Sequence, residues 1–488
     1  MGELKQKAVK GVAWNTINTV STLAVNFIVG IILARKLMPD DFGAIAMIQV
    51  FTSVLAIFTD GGGLTLALVR KENRTETDKS TVFVYNIVAC YIIYGIIYCI
   101  APLIAKFYAI PILCKLTRIS SLSLLISPFA GIQRMHLTSA IDFKTQTSIG
   151  IAASLTSSIL AITMAYCGYG VWSLAVPGVL HTIISTGLLI AIVRWKPNTG
   201  FSWSSFRELF GYSSKLLISS LIDKIYNNIT PLIVGKFFSP TQLGIYNQAQ
   251  KWPNLPSQTF TSVLQTVTFP LLSKLQDDKV RLTTTYVHIL RLSAYICFPL
   301  IVGLATIAKP LTIILVTEKW IDSVILMQLI CLSMMWYPIH AINLNLLTVT
   351  GRSDYFLKLE VIKKVLGLMV MFLALPFGLV AFCAAGIASS LVALFINTWY
   401  TKKIINYGFR EQMKDLLPFL FNNLIMGFLC LLVQMPFESN ILKLIIVIPV
   451  AIVYYILSSS IFQKEQYNEI LEIASSKLPM LRPYIKTT

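Results

Sequence analysis

Apolar residues run along this chain in blocks of about twenty, separated by short polar or basic stretches rather than by a regular alternation of the two. At about 1.5 Å per helical residue, such a block crosses a hydrocarbon core about 30 Å thick. The blocks predict spanning helices at about 11–34, 42–69, 81–105, 112–137, 147–167, 170–193, 212–237, 243–273, 286–307, 321–349, 357–376, 379–401, 415–434 and 441–462, which makes about 14. The first block is too long for a signal-peptide core and is expected to be a retained helix. The expected fold class is an all-α polytopic membrane protein.

Composition agrees. The chain is 56% hydrophobic and 13% charged, where a soluble domain carries about 25% charged residues. With the N-terminus inside, Lys and Arg outside the spans concentrate in the cytoplasmic segments, the bias that sets orientation, and both termini are then cytoplasmic. The net charge of +18 is therefore first a topology signal, and no nucleic-acid partner is required.

The chain also echoes itself. "NFIVGIILARKLMPDDFGAIAM" from Asn26 aligns with "NITPLIVGKFFSPTQLGIYNQ" from Asn227, setting Pro39 over Pro240, Gly43 over Gly244 and Arg35 over Lys236. Two further echoes recur at nearly the same offset, Leu122 to Thr138 over Leu332 to Thr348 and Gly170 over Gly378. Their order predicts two six-helix lobes, 1–196 and 197–405, with 406–488 adding helices 13 and 14 and a cytoplasmic tail. An even number of helices per lobe makes this a parallel repeat, in which a substrate site is expected between the lobes.

Within the apolar blocks, polar residues fall in stripes. In span 7, Lys215, Ser219, Asp223 and Asn227 recur every four residues, with Lys224 beside them. Span 1 carries Asn15, Asn18 and Asn26, span 2 carries Gln49, Ser53 and Asp60, and span 8 carries Asn247, Lys251 and Asn254. Ionised groups at mid-bilayer cost about 2.5 to 3.5 kcal/mol and so face a bundle interior or a wet cavity, although single residues of this kind also serve as interhelical glue. Four stripes on paired helices predict a hydrophilic cavity in which Lys215, Lys224 and Lys251 outnumber Asp60 and Asp223, and hence an anionic substrate. Gly61, Gly62 and Gly63 beside Asp60 would let that helix bend.

Other chemistry is sparse. The eight cysteines show no C-x-x-C spacing and read as packing thiols, and His136, His181, His288 and His340 are isolated and read as packed or interfacial. No phosphate-cradling G-x-x-x-x-G-K-[ST] motif occurs, and no inter-span segment is long enough for a soluble catalytic domain. A transporter without cofactor or metal is expected rather than an enzyme.

The stretches "ILARKLMPDDFGAIAM", "FTDGGGLTLALV", "CGYGVWSLA" and "VTFPLLSKLQ" resemble the polysaccharide flippase and exporter branch of the multidrug/oligosaccharidyl-lipid/polysaccharide superfamily, near the colanic acid and O-antigen exporters. The resemblance covers about residues 5 to 460. It implies two six-helix lobes around a cationic cavity, helices 13 and 14 in addition, and a bacterial inner-membrane location. It further implies an anionic polyprenyl-diphosphate oligosaccharide substrate, carried on undecaprenyl diphosphate and moved to the periplasmic leaflet by alternating access. Membrane lipids and polysaccharide polymerase or assembly proteins are the implied partners. Lys251 and Lys224 fit the implied pyrophosphate-binding role, and Asp60 or Asp223 would serve any coupling to H+ or Na+. Span 1 has no Arg or Lys between Gly11 and Ala34, unlike the related peptidoglycan-precursor flippases. The alternative is a multidrug or metabolite cation antiporter of the same fold, which requires a cavity dominated by carboxylates.

Overall fold

The computed structural model describes residues 2–58, 64–71 and 73–477. Asp60 and its three glycines lie outside the described residues, as do the side chains of Asn15 and Lys215. All regular structure among the described residues is helical, and contacts divide the chain into two units, Met1–Asn247 and Gln248–Thr488. That division falls after the start of the eighth expected span, whereas the repeat places the lobe boundary at 196/197.

The first unit contains α1 (Gly2–Lys36), α2 (Pro39–Leu55), α3 (Leu64–Arg70), α4 (Glu76–Tyr108), α5 (Ile112–Ser120), α6 (Ser123–Ile126), α7 (Pro128–Ser139), α8 (Phe143–Tyr166), α9 (Trp172–Val193) and α10 (Trp203–Phe237). It ends within α11 (Pro240–Ser273). Local signals place the ends. Thr75 caps α4 in a reciprocal box with Asp78, and Asp142 accepts from the amide of Thr145 at the start of α8. Pro39 opens α2, where its missing N–H costs nothing. The expected fourth span is broken: residues 112–126 and Pro128–Ser139 meet at 46°, because Pro128 supplies no amide to continue the ladder. Helix α10 packs against α2, α3 and α4. Leu64, Leu68, Val82, Ile132, Met135 and Leu209 form an apolar core near its first turns.

The second unit contains the rest of α11, then α12 (Lys279–Thr306), α13 (Ala308–Val316), α14 (Ser323–Met334), α15 (Tyr337–Val349), α16 (Ser353–Ala374), α17 (Gly378–Ile405), α18 (Phe409–Gln434), α19 (Asn440–Phe462) and α20 (Lys464–Lys477). Its mostly apolar interior holds a polar cluster. The Asn343 carboxamide oxygen accepts from the hydroxyls of Tyr286 (2.9 Å) and Thr401 (2.8 Å) and from Gln412 (3.0 Å), all four side chains being buried. Its outside is apolar, with Ile441, Ile445, Ile452 and Phe462 among many exposed large side chains. Buried polar groups with an apolar exterior are what a lipid solvent demands.

Among the described residues, nine helices are long and apolar enough to cross a membrane, or ten if the bent pair counts as one span. The exact count of fourteen is therefore not confirmed. Helices α16 and α17 form one continuous apolar stretch over Asp354–Ile405, and α2, α10 and α11 are not among the nine. Helix α2 has only 17 residues, and the polar stripes of α10 and α11 lower their mean hydropathy.

Candidate functional site

A cavity of about 880 Å³ lies within the first unit, walled by α2, α3, α7, α9 and α10. Helix α10 contributes Ser220, Asp223, Lys224 and Asn227, so Asp223 and Asn227 of its expected stripe lie on this wall with Lys224 beside them. Facing them are Ser127, Arg134 and Thr138 from α7 with the residue before it, and His181, Thr182, Ser185 and Thr186 from α9. Adjoining it is a smaller void of about 370 Å³, sharing Ser53 and Ala56 with the first and lined also by Gln49, Thr52, Ser120, Ser121, Ser123, Leu124 and Asn228.

The breaks in the fourth span explain part of this lining. "SSLSLLISP" interrupts the helix at Ser121–Leu122 and again at Ser127, and both interruptions face a void. At the second break Pro128 supplies no amide to continue the ladder, and beside the first the Ser123 hydroxyl donates to the carbonyl of Ser120 at 3.0 Å. The same serines then line the space that the bend opens.

Electrostatically, the larger cavity carries Arg134 and Lys224 against Asp223. No ion pair among the described residues involves Arg134 or Lys224. Two cationic groups without a carboxylate partner in a restricted polar space attract an anion, with Arg offering the planar fork that suits phosphate. Buried hydroxyl oxygens of Thr65 and Ser127 in the same walls also have no partner among the described residues. Among the described residues, no group of His, Cys, Asp or Glu is arranged to hold a metal.

The remaining expected positions lie elsewhere. The carboxamide oxygen of Asn18 is buried 3.2 Å from where a Cβ on Gly150 would stand, which makes it a packing contact between α1 and α8, and Asn26 is exposed; neither lines a void described here. Asn247 is half-buried at the end of the first unit. Lys251 and Asn254, both half-buried, belong to the second unit. Arg134 and His181 were missed as site residues. The available signal was the spacing of His181, Thr182, Ser185 and Thr186, two i, i+4 pairs side by side on one face of α9.

A bundle of apolar helices enclosing a polar, partly cationic cavity defines a multi-pass membrane transporter. The family model for "Polysaccharide biosynthesis protein" matches residues 32–325, more than half of the chain, and the chain belongs to that family. It is 27% identical over 337 residues to an uncharacterized membrane protein in the cps region of Klebsiella pneumoniae, covering 68% of each chain. It is 21% identical over 431 residues to the lipopolysaccharide biosynthesis protein WzxC of Escherichia coli strain K12, covering 85% of each. Among solved structures, the lipid II flippase MurJ in its inward closed conformation is similar with a TM-score of 0.76 at 17% identity, covering 93% of this chain and 99% of that one. An inward-facing multidrug resistance MATE family transporter of the MOP superfamily is similar with a TM-score of 0.62 at 14% identity, covering 79% of this chain and 96% of that one. At such identities these two likenesses speak for the fold alone.

Proposed function

We propose that this protein is a flippase for lipid-linked oligosaccharides, carrying repeat units on undecaprenyl diphosphate from the cytoplasmic to the periplasmic leaflet of a bacterial inner membrane, with both termini cytoplasmic. The observation that carries the reading is Arg134 and Lys224, in no ion pair among the described residues, in a cavity whose other polar lining is mostly hydroxyls, with Asn227, His181 and the single carboxylate Asp223. The cations bind the diphosphate, the neutral polar groups bind sugar, and the polyprenyl chain stays in lipid. Membership of a polysaccharide biosynthesis family and similarity to WzxC support the substrate class. Transport proceeds by alternating access of two repeat-related lobes, 1–196 and 197–405, without chemistry by this chain. Asp223 is the described carboxylate suited to any coupling with H+ or Na+, and polymerase or assembly proteins take over the product.

The test is complementation of surface glycan in a strain lacking this gene, with protein abundance measured in parallel. Each cation contributes charge-assisted hydrogen bonds of about 1.5 to 3 kcal/mol, so Arg134→Ala or Lys224→Ala weakens substrate binding about 10- to 100-fold. Severe loss of glycan is expected from either. Full surface glycan in the double variant at normal abundance overturns the proposal. Gradient-driven drug efflux with no glycan phenotype would instead establish the antiporter, a reading disfavoured by a cavity holding one described carboxylate against two cations.

A further inference from the structure

The two adjoining voids differ in chemistry. Every charged side chain lies in the larger, while the smaller presents the carboxamides of Gln49 and Asn228 and the hydroxyls of Thr52, Ser53, Ser120, Ser121 and Ser123. Most of these polar groups have already spent a donor. Thr52 donates to the carbonyl of Ile48 at 3.2 Å, Ser53 to Val50 at 3.3 Å, Ser123 to Ser120 at 3.0 Å, and the Asn228 amide nitrogen to Lys224 at 2.8 Å. What remains is a mixture of lone pairs and of donors on the Gln49 carboxamide, the second N–H of Asn228 and the Ser121 hydroxyl. Ser121, 1% exposed, keeps a buried hydroxyl with no partner among the described residues.

A wall of neutral hydroxyls and carboxamides supplies no positive charge to balance an ionised diphosphate. It does match a ligand rich in hydroxyls, which both donate and accept. We infer that the smaller void is a subsite for an uncharged sugar of the lipid-linked glycan, hydrogen-bonding its hydroxyls, while Arg134 and Lys224 hold the diphosphate in the larger cavity. Gln49, Thr52 and Ser121 are then specificity-determining residues that read sugar and not charge. The substrate enters the first unit with its sugar toward α2 and the broken α5 and α6, and its diphosphate toward α7 and α10. This inference rests on the flippase reading and adds the position and chemistry of the sugar.

Full-length protein in lipid nanodiscs, titrated with undecaprenyl diphosphate and separately with undecaprenyl-diphosphate-linked N-acetylglucosamine, tests it. The wild type is expected to prefer the sugar-bearing lipid about tenfold, the ratio that two net hydrogen bonds supply. Gln49→Leu, Thr52→Val and Ser121→Ala, together, should bring the ratio near one while leaving affinity for undecaprenyl diphosphate unchanged. Gln49→Leu alone, at an exposed position, serves as the variant least able to disturb folding. Arg134→Ala should weaken both ligands equally. A wild type without preference, or variants that retain it, overturns the subsite and leaves the flippase reading standing. A wild type that binds neither lipid overturns both.

Discussion

Gly43 and Gly244 pack against each other's helix starts: a Cβ on Gly43 would collide with the carbonyl oxygen of Pro240, and a Cβ on Gly244 with that of Pro39. The contact is reciprocal between residues that the sequence echo pairs, Pro39 with Pro240 and Gly43 with Gly244. Thr241 donates to Asp40 across the same seam, and Lys236 donates to the carbonyl of Phe107 at 2.5 Å beside it. Only residues without side chains permit backbones to approach so closely.

Gly43→Ala and Gly244→Ala should therefore each break this seam. Because the obstructing atoms are backbone, the cost exceeds the about 1 to 3 kcal/mol of ordinary overpacking. A drop of several degrees in melting temperature of the purified protein is expected, whereas Thr241→Val, which removes only the hydroxyl, should lower it far less. An unchanged melting temperature for both alanine variants would contradict the packing.

The Asn343 hub should be the stability centre of the second unit. Asn343→Leu removes the acceptor of the buried Tyr286 hydroxyl and the donor to the Gln412 carboxamide oxygen, while Thr401 keeps its bond to the carbonyl of Asn397 and Gln412 its bond to Tyr286. At about 0.6 kcal/mol per interhelical hydrogen bond in a membrane, plus the desolvation of the stranded groups, the loss is about 2 to 4 kcal/mol. Thermal unfolding measures it, and adding Tyr286→Phe should recover part of the loss by removing one orphan.

Lys71 bridges the buried Asp78 at 3.1 Å and the exposed Glu208 at 2.9 Å, tying the start of α4 to α10. The hydrogen bond to Glu208, opposed by partial burial and aided by Asp78, holds the Lys71 ammonium above the ordinary lysine value. A raised cation contributes its stability fully below the unfolded value of 10.5 and loses it as pH rises through the folded one. Lys71→Met should thus lower the melting temperature equally at about pH 6 and about pH 8, the gap from wild type closing only in strongly alkaline buffer. The Glu208 arm is solvent-screened and contributes under about 1 kcal/mol, so Glu208→Gln should be nearly silent.

Helix α20 is fastened to α12 by His288 to Glu469 at 3.0 Å and Arg291 to Glu465 at 3.6 Å, with Arg291 also donating to Asp415 at 2.8 Å. The combined variant His288→Gln and Arg291→Met should release α20. Limited trypsin digestion should then cut after Lys464 about tenfold faster, in proportion to the larger open population.

Much of this molecule was readable from one dimension. Block length and hydropathy alone required a helical membrane protein, since every backbone group in lipid must be satisfied within its own helix. The echo of Pro39 and Gly43 at Pro240 and Gly244 announced a duplicated device, and the four-residue spacing of Asp223 and Asn227, with Lys224 beside them, placed them on one face of α10. The site was less legible. His181 shares a polar face with Thr182, Ser185 and Thr186, and Arg134 stands among Gln133, His136 and Thr138, but such short polar runs read in sequence like the glue that Asn18 supplies against Gly150. Only the bend at Ser127–Pro128, and the packing of α7, α9 and α10 around it, brings them opposite Lys224. Periodicity reports which face of its own helix a residue occupies, whereas what that face meets depends on contacts between helices far apart in the chain.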